Sequence, residues 1–296
     1  MKSPLFFVLL ASLGLCSSAA AELLFTDDSG HAVRLAAPAK RIVSLAPHLA
    51  ESLYAAGAGE ALVGTVDYSD YPPAAKKVPR IGGYSRIDLE AVAALKPDLV
   101  IAWESGNNLS EIAKLRGLGL NVYLFQPNKI ADVAEQLVRL GQLAGSEPVA
   151  NAAAANFRQR LAALQTANAG KPGVRVFYQI WKAPLMTVGS SQIISDAIRL
   201  CAGENVFGHL APMAPVVSLE AVLAANPEVI IASGIGETRP EWLHDWDKWT
   251  RLTAVKRNNL FHIHPDIMQR HTPRILDGSE KLCADLDLAR SRRPTR

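Results

Sequence analysis

Two segments of the chain share a sequence that decides how it should fold. Residues 89–102 have the sequence LEAVAALKPDLVIA and residues 219–232 have LEAVLAANPEVIIA, with eight of fourteen positions identical and no gap. Each copy combines a helical pattern, a proline and a short, uniformly apolar segment that is typical of a buried parallel strand. Helix–proline–strand units are common in α/β proteins, but the repeated Leu-Glu-Ala-Val start favours two equivalent lobes.

Strands and helices alternate on both sides of the connection between the two copies. The alternation covers residues 41–125 and resumes from residue 174, and two helical segments lie between. This pattern predicts an α/β protein with two Rossmann-like lobes, mainly parallel sheets and a long backbone helix joining them. The predicted units are a leader at 1–21, an N-terminal lobe at 22–145, a connecting helix at 146–170 and a C-terminal lobe at 171–296. A ligand cleft is expected between the lobes, where binding sites are frequent.

The first 21 residues have the pattern of a secretory signal peptide. Lys2 precedes an apolar run of about a dozen residues, and small residues follow up to Ala19-x-Ala21. The run is too short to span a bilayer, which needs roughly 20 residues. We therefore expect cleavage after Ala21 and export of the mature chain to the periplasm.

The cysteines support two separate expectations. Cys16 has the spacing of a lipoprotein site, but Leu15 occupies the position where such sites carry a small residue, so cleavage after Ala21 fits better. Cys201 and Cys283 remain in the mature chain, and an oxidising compartment favours a disulfide between them. Two separate buried thiols are the alternative.

Charge and motifs exclude several classes of function. Loss of Lys2 with the leader lowers the formal net charge from +3 to +2, and no block of clustered Lys and Arg indicates a nucleic-acid partner. The chain lacks a Gly-x-Ser-x-Gly elbow and a Gly-Lys-Ser/Thr phosphate loop. Residues 57–59, Gly-Ala-Gly, follow a predicted helix and are interpreted as its C-cap. We expect no catalytic residues and no cofactor.

Three histidines offer the main alternative to a binding protein. His262 and His264 share one face of a predicted strand, and His271 follows. A zinc site needs three or four converging ligands, so solvated histidines at a strand end are favoured and no metal site is expected. An enzyme that uses cobalt or iron at these histidines stays open, as does a scaffold component without a ligand.

Aromatic residues follow predicted strands in several loops: Tyr68, Tyr71, Tyr84, Trp103 and Trp181. Open α/β sheets bind ligands at the carboxyl ends of their strands. Each large ring offers roughly 150–250 Å² of contact surface. The sequence therefore predicts a bulky, flat, partly polar ligand. Three further tryptophans have helical spacing and are expected to pack inward: Trp242, Trp246 and Trp249.

Further segments carry a family resemblance: RIVSLAP at 41–47, YSDYPP at 68–73, ALKPDLVIAW at 94–103, CAGENVF at 201–207 and PRI at 273–275. With the export signal, they resemble the helical-backbone substrate-binding proteins of ABC importers, and within that family its cobalamin-binding members. The resemblance covers nearly all of the mature chain. It implies a monomer with little hinge closure that delivers cobalamin, or a related corrinoid, to an inner-membrane permease and ATPase.

The resemblance also implies roles for individual residues. The implied ligand-binding set is Pro47, His48, Tyr68, Tyr84, Trp103, Ile180, Trp181, Asp266 and Arg270. It pairs Cys201 with Cys283, and it makes Glu90 and Glu220 the carboxylates that meet arginines on the permease. The repeat alone leaves these two glutamates open, because a carboxylate early in a helix is also stabilised by the helix dipole.

Two positions depart from the cobalamin-binding members. Ala214 stands before Pro215 where those members have tryptophan, and Tyr84 also stands where they have tryptophan. The cleft is expected to be less aromatic than theirs, with His48 as an added polar group. A haem or ferric-siderophore carrier on the same fold is therefore the alternative to a corrinoid carrier.

Overall fold

The computed structural model describes residues 22–83, 86–234 and 240–294, so the predicted leader and Cys16 lie outside the described residues. Within the described ranges, no helix combines the length and the apolar character needed to cross a membrane. The strands are, in chain order, β1 (Leu23–Thr26), β2 (Ala32–Leu35), β3 (Ile42–Ser44), β4 (Leu62–Thr65), β5 (Gly82–Gly83), β6 (Arg86–Ile87), β7 (Leu99–Trp103), β8 (Val122–Phe125), β9 (Val174–Gln179), β10 (Gly203–Asn205), β11 (Val229–Ala232) and β12 (Leu260–His262).

The helices alternate with these strands. In chain order they are α1 (Pro47–Ala55), α2 (Leu89–Ala94), α3 (Leu109–Gly117), α4 (Asp132–Ala144), α5 (Glu147–Asn168), α6 (Ile193–Leu200), α7 (Leu219–Ala225), α8 (Thr253–Lys256), α9 (Pro265–Met268) and α10 (Ile275–Ser291). Short 3-10 helices cover Gly59–Ala61, Pro73–Lys77 and Glu241–Trp246.

Two four-stranded parallel sheets share one strand order. The N-terminal sheet has the order β4-β3-β7-β8 and the C-terminal sheet has β10-β9-β11-β12. If the four strands of each sheet are numbered in chain order, both sheets have the order second, first, third, fourth. The two repeat copies supply the third strand of each sheet, β7 and β11, so the prediction of an α/β fold with two similar lobes is confirmed.

Both faces of each sheet are covered, which explains the uniformly apolar strands. In β7, Leu99 and Ile101 pack in the larger hydrophobic cluster, whereas Val100 and Ala102 pack in a second cluster with residues of α2 and α3. The larger cluster includes residues of α1, α4, α5 and α10 and of the C-terminal sheet. One apolar core therefore runs through both lobes.

The connection between the lobes is a tight pair of helices. α4 ends at Gly145, whose φ of 70° lies in the left-handed region that glycine adopts without strain. α5 follows as a 22-residue helix. A Cβ on Gly141 would lie 2.3 Å from the Cβ of Ala150, so only glycine lets the two helices approach this closely.

The two repeat helices begin in the same way. The Asp88 carboxylate accepts a hydrogen bond from the Ala91 amide (2.9 Å), and the Ser218 hydroxyl accepts one from the Ala221 amide (3.1 Å). These caps satisfy backbone donors that a helix N-terminus leaves free.

Two further predictions about the C-terminal lobe hold. A disulfide joins Cys201, after α6, to Cys283 within α10. Trp246 is buried and donates from Nε1 to Gln179 (2.9 Å), while Trp242 and Trp249 pack against the same cluster. The prediction missed β10, α8 and α9, because segments of three or four residues carry too little periodicity to be recognised.

Candidate ligand-binding site

The strand order places a crevice at the carboxyl ends of β3 and β7. The chain leaves β3 into α1 on one face of the sheet and leaves β7 towards α3 on the other face. Adjacent parallel strands whose connections diverge in this way form the switch point at which open α/β sheets bind ligands. Pro47 and His48 begin α1, and Trp103 ends β7, so three of the predicted site residues border this crevice.

Three aromatic side chains meet at this point. The ring of His48 lies 5.0 Å from that of Trp103 and 5.1 Å from that of His271, and the Trp103 and His271 rings lie 5.4 Å apart. All three contacts are edge-to-face, which suits the charge distribution of aromatic rings. His48 and Trp103 belong to the N-terminal lobe and His271 to the C-terminal lobe, so the cluster spans the two lobes. We refer to these three side chains as the aromatic cluster.

Trp103 is held in place by its own loop. Asn107 accepts a hydrogen bond from the Trp103 amide (2.7 Å) and donates one to the Leu45 carbonyl at the end of β3 (2.9 Å). A Cβ on Gly106 would lie 1.8 Å from the indole ring, so glycine is needed there for the ring to fold back over the loop. The loop after β7 therefore presents the indole towards α1.

The two histidines of the aromatic cluster are buried and Trp103 is partly buried, yet several of their ring nitrogens have no hydrogen-bond partner among the described residues. His48 is 4% and His271 is 1% exposed. Among the described residues, no hydrogen-bond partner reaches His48 Nε2, Trp103 Nε1 or either ring nitrogen of His271. An unpaired buried polar group costs about 1–3 kcal/mol. Buried polar atoms without a partner are uncommon in folded proteins.

Both imidazoles are neutral at neutral pH. Burial lowers the pKa of His271 to about 4. The pKa of His48 also falls well below its usual value, first because of burial and then because of the nearby His271 and the positive charge of Arg270. Each neutral ring has one nitrogen with a lone pair and one N–H.

A buried carboxylate joins the lobes beside the aromatic cluster. Glu51, in α1, is 2% exposed and accepts two hydrogen bonds from the guanidinium of Arg274, at 2.6 and 2.5 Å. Arg270 approaches the same carboxylate at 3.9 Å. The Arg274 guanidinium also lies 3.8 Å from the centre of the Tyr71 ring, a cation–π contact. Burial alone would lower the pKa of Arg274, but the bonds with Glu51 raise it.

Arg270 forms a second bridge across the lobes. Its guanidinium contacts Asp70 at 2.9 Å, Asp266 at 2.9 Å and the Tyr68 carbonyl at 3.3 Å. Burial by itself would raise the pKa of Asp70, but the hydrogen bond and charge of Arg270 outweigh it, and the pKa is lowered. The structure thus brings the predicted residues Tyr68, Asp266 and Arg270 together.

Tyr68 stands out in its loop. Its φ of 63° lies in the left-handed region, and 73% of its surface is exposed. A non-glycine residue in that region costs about 1–3 kcal/mol and is concentrated at functional sites. Thr65 donates to Ser69 (2.8 Å), and the Ser69 carbonyl accepts from Arg80 (2.8 Å), so the loop is fixed while the ring faces solvent.

The remaining predicted residues lie elsewhere or outside the described ranges. Ile180 follows β9 and is partly buried, and Trp181 is 42% exposed and donates from Nε1 to the Ala183 carbonyl (3.0 Å). This pair therefore lies at the carboxyl end of β9, the strand of the C-terminal sheet that corresponds to β3. Tyr84 lies outside the described residues. Glu90 and Glu220 are exposed at the second position of α2 and α7.

The three histidines that an enzyme would use lie in different surroundings. His271 belongs to the aromatic cluster, whereas His264 precedes α9 and accepts a hydrogen bond from the Asp266 amide (3.1 Å). In the parts of the chain that the structure describes, no three His, Cys, Asp or Glu side chains are arranged as a metal site. The solvated strand end that we expected is only partly observed, since His262 and His264 are partly buried.

The sequence analysis did not assign Glu51, Asp70 or Arg274 to the site. Glu51 carried a usable signal, because it is the acidic residue inside the apolar segment Leu49–Leu53 of a predicted helix. Asp70 and Arg274 lay in the segments that carried the family resemblance. Their partners, Arg270 and Glu51, lie 200 and 223 residues away in the sequence, so no local pattern indicated these contacts.

Removing the buried charge should loosen the lobes. We expect Glu51→Gln to lower the free energy of unfolding by about 3 kcal/mol, because it leaves Arg274 without its buried partner. Glu135→Gln is the matched control, since Glu135 pairs with Arg158 on the surface and should cost less than about 1 kcal/mol. Urea unfolding of both variants measures the difference, and equal effects would contradict the assignment.

Acid should destabilise the empty protein through the aromatic cluster. The folded pKa of His271, about 4, lies below its unfolded value of 6.5, so the unfolded state binds more protons between those values. The unfolding free energy should therefore fall as pH decreases through that window, by about 2 kcal/mol from about pH 7 to pH 5 for this residue. In His271→Phe the same pH change should cost correspondingly less, while His31→Ala, at an exposed turn, should behave as the parent does. A pH dependence unaltered by His271→Phe would refute this account.

Comparisons with known proteins agree with this geometry. Residues 42–267 match the family described as periplasmic binding protein. A vitamin B12-binding protein of Vibrio cholerae is 39% identical over 253 residues, which cover 85% of this chain and 91% of that protein. The crystal structure of a periplasmic vitamin B12-binding protein of Vibrio cholerae matches with a TM-score of 0.80 at 38% identity, over 86% of this chain and 98% of that one.

Haem-binding proteins share the architecture at greater distance. The periplasmic haem-binding protein of Roseiflexus sp. RS-1 matches with a TM-score of 0.73 at 22% identity, over 84% of this chain and 99% of that one, and at this identity the likeness shows the fold alone. The family match covers most of the chain, and the two-lobed α/β architecture is the one found in these relatives. The chain belongs to the periplasmic binding protein family.

Proposed function

We propose that this protein captures cobalamin, or a related corrinoid, in the cleft between its lobes and delivers it to an ABC importer. The observation that carries the proposal is the 39% identity to a vitamin B12-binding protein over nearly the whole length of both chains. The geometry supports it, because aromatic and polar side chains from both lobes meet at the switch point of the N-terminal sheet. We further propose that the ligand is cargo and that the protein needs no cofactor.

In this proposal, each lobe contributes its own set of ligand contacts. Residues 22–145 and 171–296 form the lobes, and residues 146–170 connect them. The N-terminal lobe offers Tyr68 and Trp103 to the ligand, together with Pro47 and His48, and Tyr84 by its place in the sequence. The C-terminal lobe offers Ile180, Trp181, Asp266 and Arg270. The exposed ring and left-handed backbone of Tyr68 support this role, since an ordered loop otherwise gains nothing from that conformation.

We propose that the protein works in the periplasm and performs no chemistry itself. The leader-like residues 1–21, the disulfide between Cys201 and Cys283 and the family support export. The relatives are binding proteins. The two imidazoles of the aromatic cluster contact each other and an indole. Among the described residues, no nucleophile or carboxylate is hydrogen-bonded to His48 Nε2 or to either ring nitrogen of His271, as general-base catalysis would require.

Glu90 and Glu220 are the proposed contacts with the permease. Each lies two residues after the capping side chain of a repeat helix, so one exposed carboxylate projects from the equivalent position of each lobe. Hydrogen bonds with its own backbone and with Ser218 lower the pKa of Glu220, which keeps that carboxylate charged. Exposed charges of this kind mainly set orientation and association rate, which suits a carrier that must dock and leave.

Titration of the mature protein with cyanocobalamin, followed by calorimetry, tests the ligand. We expect one-to-one binding with a dissociation constant of about 1 μM or lower. Trp103→Ala should weaken binding by about 1–3 kcal/mol, because the ring loses its stacking surface. Trp249→Ala removes an indole that packs in the C-terminal lobe and should leave the affinity unchanged. Absence of binding by the parent protein, with tight binding of ferric haem or a ferric siderophore, would instead support those carriers.

Transport tests the docking residues. The double variant Glu90→Ala, Glu220→Ala should bind cyanocobalamin as the parent does but lose most of its affinity for the permease complex. Co-purification with the permease at low and at high salt measures this, since exposed charge pairs are screened by salt. Glu60→Ala and Glu241→Ala, also exposed acidic residues, form the control pair. Undiminished complex formation by the double variant would remove both residues from the interface.

A further inference from the structure

Arg270 lies between carboxylates of both lobes. Its guanidinium nitrogens lie 2.9 Å from a carboxylate oxygen of Asp70, in the loop after β4, and 2.9 Å from one of Asp266, in α9. The Glu51 carboxylate approaches the same guanidinium at 3.9 Å. Two carboxylates in direct contact offset its positive charge, so Arg270 has little attraction left for a further anion. We refer to Arg270, Asp70 and Asp266 as the Arg270 bridge.

The other cations near the Arg270 bridge are engaged as well. Arg274 donates two hydrogen bonds to Glu51, and Arg80 donates to two backbone carbonyls, at 2.8 and 3.2 Å. Lys76 attracts the Asp70 carboxylate more weakly than the guanidinium of the bridge does. At the contact between the lobes, three carboxylates therefore face two guanidiniums.

The Arg270 bridge borders the surface offered to the ligand. The Tyr68 carbonyl accepts a hydrogen bond from Arg270 (3.3 Å), and the Tyr68 side chain belongs to the most exposed residue of this loop, at 73%. A flat ligand that stacks on this ring therefore brings its rim close to the bridge. The groups exposed there are mainly carboxylates, because the side chain of Asp70 is 46% and that of Asp266 is 29% exposed, against 15% for Arg270.

The exposed groups of the Arg270 bridge discriminate between amides and acids. An ionised carboxylate only accepts hydrogen bonds, whereas a carboxamide supplies two N–H donors. A carboxamide on the rim of a ligand can therefore donate to Asp70 or Asp266. A carboxylate on the rim has no donor, and it meets two like charges beside a guanidinium that is already occupied. Contacts between like charges are a means by which a binding site rejects the wrong partner.

We propose that Asp70, together with Asp266, makes the cleft select corrinoids whose rim carries carboxamides over ligands that carry carboxylates there. This inference rests on the proposed function and makes it more specific. Cobalamin belongs to the favoured class, because side chains of its corrin ring end in carboxamides. Haem belongs to the disfavoured class, because its propionates are ionised at neutral pH. The same charges thus separate the corrinoid carrier from the haem carrier.

Hydrolysed corrinoids test this selection. The mature protein is titrated at about pH 7.5 with cyanocobalamin and with its separated monocarboxylic derivatives, in each of which one rim carboxamide has become an ionised carboxylate. The derivatives keep the ring, the cobalt and its cyanide, so only the rim differs. By calorimetry, at least one derivative should bind about tenfold more weakly than cyanocobalamin. Equal affinities for cyanocobalamin and all the derivatives would overturn the inference.

Asp70→Asn should restore binding of the weakened derivative. The amide keeps the size of the side chain, removes one charge and leaves Arg270 with one carboxylate in direct contact. The derivative should therefore bind several-fold more tightly to this variant than to the parent protein, a gain that poor folding cannot produce. Asp67→Asn is the matched control, because Asp67 is exposed in the same loop and makes no ion pair with Arg270. It should leave the preference unchanged.

The outcomes separate this inference from the proposed function. If cyanocobalamin binds but Asp70→Asn does not raise the affinity for the derivative, or Asp67→Asn raises it equally, the role of Asp70 is overturned and the proposed function stands. Failure of the parent protein to bind cyanocobalamin would reject both. If Asp70→Asn itself loses cyanocobalamin binding, Asp266→Asn provides the test from the other lobe, with the same expected gain and the same contrary result.

Discussion

The carboxylate of Glu51 is buried where the two lobes meet, and the surrounding contacts depend on it. Transferring a carboxylate out of water costs several kcal/mol, which its attraction to a partner repays only with good geometry. The two parallel hydrogen bonds from Arg274 provide that geometry. Because Arg274 also lies over the Tyr71 ring, the carboxylate fixes a loop of the N-terminal lobe against the segment before α10. The bridge from Arg270 to Asp70 lies beside this contact.

The lobes are joined by more than this charge network. The larger hydrophobic cluster includes residues of α4, α5 and both sheets, so relative movement of the lobes would disturb close packing as well as ion pairs. The Ile130 amide of the N-terminal lobe also donates a hydrogen bond to the Asp196 carboxylate in α6 (2.9 Å), which joins the lobes at a second place. These contacts favour small adjustments of side chains and loops at the cleft over a wide hinge motion.

The site combines a stable frame with polar atoms that have no hydrogen-bond partner in the described parts of the chain. The frame is the strand order, which brings the ends of β3 and β7 together, and the caps and glycines that fix the adjacent loops. Within it lie an exposed tyrosine with a left-handed backbone and two buried imidazoles with nitrogens that no described residue reaches by a hydrogen bond. Local departures from good packing and pairing on an otherwise consistent fold are the usual mark of a binding site.

The sequence by itself determined the class of the fold and the position of its elements. Uniformly apolar strands alternating with helices require a covered parallel sheet, and the repeat at 89–102 and 219–232 shows that the unit occurs twice. The aromatic residues that follow predicted strands could also be identified from the sequence. They could be grouped as one site because the carboxyl ends of parallel strands lie at the same edge of a sheet. Only the tertiary structure decided which side chains meet there. Glu51 and Arg274 are 223 residues apart, and His48 and His271 are equally far apart. Local patterns report the burial of a residue and its periodicity, but the partner of a buried charge or imidazole is set by the packing of distant segments, which no local pattern encodes.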